Sequence, residues 1–192
     1  MPLRLPCESA LAVKGTMAKP PRDRTVDGWN VYFVTASTWG HRSLFQTDRM
    51  ARLFVDTILH YRKEGKFSLH EFVVMPDHFH LLLSPASGVA LERAVQFIKG
   101  GFSYRVRKEL GSGVEVWERG YVDHRIRDVS DYMRHAEYIR RNPVCAHLVA
   151  AAEEYLYSSA SWGFELDPGP QGLKPENDKN SLMARLKPCP PA

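Results

Sequence analysis

Phe67-Ser68-Leu69-His70-Glu71-Phe72-Val73-Val74-Met75-Pro76-Asp77-His78-Phe79-His80-Leu81-Leu82-Leu83-Ser84 decides the fold. Its flanks are rich in apolar and aromatic residues, and Pro76-Asp77 is turn chemistry. The spacing predicts a strand over 67–75, a tight turn, and a strand over 78–84 closed by Pro85. Side chains alternate across a strand. His78 and His80 therefore share one face, and Phe79, Leu81 and Leu83 share the other.

The pattern extends outward from this hairpin. Upstream, Asn30–Thr38 is β-rich. Met50, Leu53, Phe54, Thr57, Ile58 and Tyr61 then form one helical stripe, with Thr47 as a cap and Gly65 as a stop. Downstream, Leu91, Ala94, Val95, Ile98, Phe102, Val106 and Leu110 mark a second helix ended by Gly111. Tyr121–Arg127 alternates like a fourth strand. Ser130 is positioned to cap a third helix, and Pro143 to stop it near Asn142. The order β-α-β-β-α-β-α contains the ferredoxin-like unit. The expected class is α+β: an antiparallel sheet with helices on one face, then a C-terminal tyrosine-bearing helix. Residues 1–27 read as a flexible leader, 28–163 as the domain, and 164–192 as a disordered tail.

Composition sets outer limits. The net charge of +4 fits a polyanionic partner without requiring one. Cys7, Cys145 and Cys189 make neither a disulfide framework nor a zinc spacing, so a cytoplasmic protein is expected. No apolar run reaches the ~20 residues of a membrane helix.

Two same-face imidazoles on a rigid strand suit a divalent cation such as zinc, manganese or magnesium. On the third helix, His135, Tyr138 and Asn142 fall on one face. Tyr132, Ala136 and Ile139 form the adjoining core stripe. Lys99, Arg105 and Lys108 on the second helix, with Arg119, Arg125 and Arg127, are candidates for phosphate neutralisation. Trp117, Tyr121 and His124 are candidates for stacking on unpaired bases.

Four blocks carry a family resemblance. Val74–Leu81 resembles the HUH motif (His, bulky hydrophobe, His) of single-tyrosine transposases. Tyr138-Ile139-Arg140-Arg141-Asn142-Pro143-Val144 resembles the tyrosine helix of their REP-associated branch. Val116–Gly120 with Asp123–Asp128 resembles the branch's Trp-x-Arg and His-x-Ile-Arg block, and Tyr155–Ser159 its closing segment. The resemblance covers roughly residues 29–162.

It implies that His78 and His80 hold Mg²⁺ or Mn²⁺, that Tyr138 is the nucleophile, and that a 5′-phosphotyrosine link to single-stranded or hairpin DNA forms. Asn142 stands where insertion-sequence relatives place a glutamine near the metal. Asn142 and His135 are candidates for metal or active-site support. A monomer or homodimer is compatible. Three readings stay open: a nuclease and strand-transferase, a hairpin-binding protein that does not cut, and an unrelated metal-dependent hydrolase.

Overall fold

The computed structural model describes residues 30–111, 113 and 115–169. The expected leader, and the expected tail beyond residue 169, lie outside the described residues. Strands β1 (Tyr32–Ser37), β2 (Phe67–Val74), β3 (His78–Pro85) and β4 (Val122–Arg125) form one sheet in the order β2-β3-β1-β4. Every neighbouring pair is antiparallel. Helices α1 (Asp48–Lys63) and α2 (Leu91–Leu110) cover one face, and α3 (Val129–Cys145) packs on the other. This is the expected α+β, ferredoxin-like order.

Alternation along β3 builds both layers. Phe79, Leu81 and Leu83 are fully buried against α1 and α2, among Phe54, Ile98 and Phe102. The helices pack tightly there because Gly101 faces Tyr61: a Cβ on Gly101 would lie 2.3 Å from that ring. On the other side, Leu82 joins Val31, Val73, Ile126, Tyr132, Ala136 and Ile139 in a smaller core under α3.

The turn ahead of β3 is held from two directions. Met75 N donates to His78 O at 2.8 Å, closing the hairpin. Phe45 N donates to Pro76 O and Thr38 N to Asp77 O, at 2.9 and 2.8 Å. The start of the histidine strand is therefore tied to the segment that follows β1.

Four details differ from expectation. First, β2 carries a bulge between Leu69 and Glu71. Leu69 and Phe72 both face α1 and α2, so His70 and Glu71 fall together on the α3 side. Such an extra residue kinks a strand and resets its alternation. Second, α3 is capped by Asp128, whose carboxylate accepts from Asp131 N at 2.8 Å, rather than by Ser130. Third, α3 runs through Pro143 to Cys145. A proline in the last turn removes one N–H from the ladder. Ala146 N→Asn142 O and Leu148 N→Pro143 O nonetheless close the helix end.

Fourth, the packed chain passes the expected boundary at 163. Phe164 meets Phe72 edge-on with centroids 5.0 Å apart. Asp167 accepts from Arg62 and from Leu69 N. Before it, Val74 N→Tyr157 O and Ser159 N→Phe72 O pair the closing segment with the outer edge of β2. Residues 157–167 thus satisfy backbone groups that an open edge strand would expose. Among the described residues, no helix is long and apolar enough to cross a membrane.

Candidate active site

On the α3 face, β3 presents His78 and His80 with ring centroids 4.8 Å apart. Each Nδ1 has a partner. His78 Nδ1 donates to Asp77 Oδ1 at 2.6 Å. His80 Nδ1 lies 2.7 Å from Oγ1 of Thr35, its register partner on β1. His80 Nε2 is buried and has no hydrogen-bond partner among the described residues. A buried polar atom without a partner calls for an explanation. Burial, reinforced by neighbouring His78 and His135, holds His80 well below the usual histidine range. Its imidazole is therefore neutral, with a lone pair to offer. Nδ1 tied to a second group and Nε2 left open is the arrangement of a metal-ligating histidine. The donor set fits a divalent cation.

Helix α3 brings the phenol to this strand. The ring of Tyr138 stands 5.2 Å from that of His80, at an interplanar angle of 69°. Phe33 of β1 packs beside both rings. Its ring contacts His80 at 5.3 Å, His135 at 4.8 Å and Tyr138 at 5.9 Å. Asn142, one turn beyond Tyr138, is buried. Helix α3 is fixed to the sheet by an ion pair between Arg140 and the buried Glu71, whose second oxygen accepts from Ser159 Oγ at 2.6 Å. The bulge in β2 puts Glu71 on the side where Arg140 can reach it.

His135 and His124 belong to an adjoining cluster. Asp131, in the first turn of α3, accepts from His124 Nε2 at 2.7 Å and from Arg127 N at 3.1 Å. His135 Nδ1 donates to Asp131 O at 2.8 Å. The two imidazoles stack at 4.8 Å. Burial pushes His135 below the usual histidine range, and Asp131 offsets only part of that. For Asp131 the balance is reversed: burial raises it, but His124 and Arg127 N–H lower it overall.

The expected DNA contacts divide. Trp117 is core rather than a stacking platform: it packs on Phe45, Phe54, Phe79 and Phe102, and its Nε1 donates to Lys99 O at 2.9 Å. Lys99 is also engaged within the fold, donating to the carbonyls of Glu118 and Gly120, and burial lowers its ammonium below the usual lysine range. Arg105 ties α2 to Glu109 and to Thr57 of α1. Lys108 is exposed on α2, in the layer opposite Tyr138. His124 is held by Asp131 and His135. Arg119 and Arg127 are exposed beside β4, and Arg125 lies within it.

Phe33, Thr35, Glu71 and Asp131 were not singled out by the sequence. Each acts across strands or layers, and single-chain spacing does not reveal register. The bracketing of Asp131 by His124 and His135 is the one signal that local spacing carried.

A ferredoxin-like sheet with a same-face histidine pair and a tyrosine on the overlying helix defines a class. The chain belongs to the family described as transposase, IS200-like, whose model matches residues 29–142, more than half of the 192 residues. Within that family it resembles the REP-associated tyrosine transposases. It is 28% identical to a protein of Haemophilus influenzae described as a putative REP-associated tyrosine transposase, over 74% of this chain and 85% of that one. It is 23% identical to the REP-associated tyrosine transposase of Escherichia coli K12, over 67% of this chain and 79% of that one. A solved REP-associated tyrosine transposase bound to a REP hairpin shares the fold, with a TM-score of 0.60 and 21% identity. That likeness covers 82% of this chain and 98% of the solved one.

Proposed function

We propose that the chain is a metal-dependent single-strand DNA endonuclease and strand-transferase that acts at DNA hairpins through a 5′-phosphotyrosine intermediate. One observation carries this reading: Tyr138 stands over a buried, neutral histidine whose Nε2 has no hydrogen-bond partner among the described residues. The hairpin partner is suggested by the solved relative, which is bound to a REP hairpin.

His78 and His80 would hold Mg²⁺ or Mn²⁺. Such an ion supplies charge neutralisation at a scissile phosphate. The chain's own residues do the rest. Asp77 and Thr35 fix the two imidazoles. Phe33 packs against both His80 and Tyr138 and helps hold the two rings in place. Arg140 and Glu71 hold α3 against the sheet. The Tyr138 oxygen attacks phosphorus, the bond from phosphorus to the 3′ oxygen breaks, and that oxygen leaves as a hydroxyl with the phenolic proton's equivalent. An ordinary phenol ionises at pH 7 at a cost of about 4 kcal/mol, so nearby positive charge is needed. The link keeps the phosphodiester, and a 3′-hydroxyl reverses it. Arg119, Arg125 and Arg127 are the basic residues nearest β4, where backbone phosphates would run.

The test is incubation of the full chain with labelled imperfect hairpins and Mn²⁺, followed by a denaturing gel. A covalent protein–DNA band with the wild type, absent without metal, is expected. A hairpin-binding wild type that gives free nicked strands and no adduct overturns the tyrosine mechanism.

A further inference from the structure

We propose that His124, Asp131 and His135 form a second divalent-metal site, separate from the His78–His80 pair, that takes a transition-metal ion such as Zn²⁺ and ties β4 to the tyrosine helix. One ligand atom from each residue lies within 4.8 Å of the others. Asp131 and His135 are one turn apart on α3, and His124 reaches them from β4. Two imidazoles and one carboxylate suit zinc and its neighbours in softness, and leave a coordination position open.

Two further observations point to a cation. The imidazole centroids of His124 and His135 are 4.8 Å apart, the same separation as in the His78–His80 pair. Asp131 is 5% exposed, and its ion-pair partners are those two imidazoles, at 2.7 and 3.3 Å. A buried carboxylate needs opposing charge. The carboxylate also accepts from Arg127 N at 3.1 Å, and a divalent ion between the three side chains would supply the full opposing charge that hydrogen bonds alone do not. Zinc bonds to nitrogen and oxygen of about 2.0–2.2 Å require the ligand atoms to close to roughly 3.4 Å. His124 Nε2 and Asp131 Oδ2, at 2.7 Å, must open slightly, and the third group must move in by about an ångström. The ion takes the place of the proton between His124 Nε2 and Asp131, and in the neutral ring that proton is relocated to Nδ1 through exchange with solvent, so that His124 ligates as a neutral imidazole. The ion would fasten β4 to the first turn of α3, two turns before Tyr138.

The site is tested independently of DNA cleavage. In the full-length His78→Ala/His80→Ala variant, Zn²⁺ is titrated by calorimetry with excess Mg²⁺ present, and Co²⁺ is used as a spectroscopic probe. One equivalent should bind, without a thiolate charge-transfer band from Cys145, and should raise the melting temperature. Adding His135→Gln, or separately His124→Gln, should weaken it by roughly 10- to 100-fold or more. Circular dichroism confirms that each variant is folded. Adding Asp131→Asn should do the same, but it also removes the charge that pairs with His124 and His135 in the metal-free protein, so the glutamine variants decide. No uptake by the double variant, or unchanged affinity in both glutamine variants, overturns the proposal.

Discussion

The two faces of this sheet share the strand β3 and have opposite characters. Toward α1 and α2 it contributes Phe79, Leu81 and Leu83, all fully buried in an apolar layer. Toward α3 it contributes His78, His80 and Ser84, with polar or charged neighbours Thr35, His70 and Glu71. Stability is concentrated in the first face, and chemistry is assembled on the second. The lesson is that a strand with period two can be rigid because of one set of residues and reactive because of the other. His80 holds an uncomfortable buried position because Phe79 and Leu81 fix the backbone on both sides of it.

The largest effect expected from this contrast is on stability. Phe79→Ala should destabilise the domain by about 3–5 kcal/mol, as for other buried phenylalanines. His80→Ala should cost clearly less than Phe79→Ala, because relief of the unpartnered buried Nε2 offsets part of the lost packing and of the lost contact with Thr35. It should abolish cleavage. Urea unfolding of both variants measures the difference. Equal destabilisation would show that the two faces do not divide the work.

Next in size is the anchor of α3. Arg140→Met leaves Glu71 buried and paired only with Ser159. A loss of about 1–3 kcal/mol is expected, below that of a fully buried pair because Arg140 is half exposed. The adduct rate should fall further than stability predicts, since Tyr138 rides on the same helix. An adduct rate that tracks stability alone would separate Arg140 from the site.

Thr35→Val tests the support of the histidine strand. It keeps the shape of the side chain and removes the partner of His80 Nδ1. Mn²⁺ affinity, measured by calorimetry, should drop by roughly 10- to 100-fold with the fold unchanged. An unchanged affinity would mean that the ring is held by packing on Phe33 alone.

The smallest effect is a pH dependence. Burial places His70 below the usual histidine range, and contacts with Asp167 offset part of that. The folded state therefore binds its proton less readily than the unfolded state. Below the unfolded value of about 6.5 the unfolded chain takes up the proton first, so stability falls as pH drops from 7 to 5. His70→Gln should flatten that slope in thermal melts at several pH values. A slope as steep as the wild type's would assign the effect to other histidines.

Much of this was legible in the sequence, and the gaps have physical reasons. The histidine strand and its turn were visible because period-two patterning and Pro76-Asp77 are local signals. So were both amphipathic helices of the apolar layer. The bulge was not visible, because the pattern from Phe67 to Val74 accommodates an unbroken alternation in which Glu71 lies beside Leu69. Only the observed register moves Glu71 to the opposite face. Trp117 sits in a charged block, which suggests base stacking, but its ring closes the apolar core. Pro143 pointed to an early helix end, a local rule that the packing of α3 overrides for one turn. Thr35 and Phe33 support the site from β1, across a register that no single segment encodes.

The proposed chemistry stands or falls on Tyr138 as the nucleophile. Tyr104 is its main competitor in sequence, in a basic stretch of α2. In the structure Tyr104 is 64% exposed on the layer opposite the histidine pair. The most direct measurement traps the adduct on hairpin DNA with Mn²⁺, trims it with nuclease, and locates the residual nucleotide by peptide mass spectrometry. The nucleotide should lie on Tyr138, and Tyr138→Phe should bind the hairpin without forming an adduct. A nucleotide on Tyr104, or a full adduct yield from Tyr138→Phe, would contradict the account.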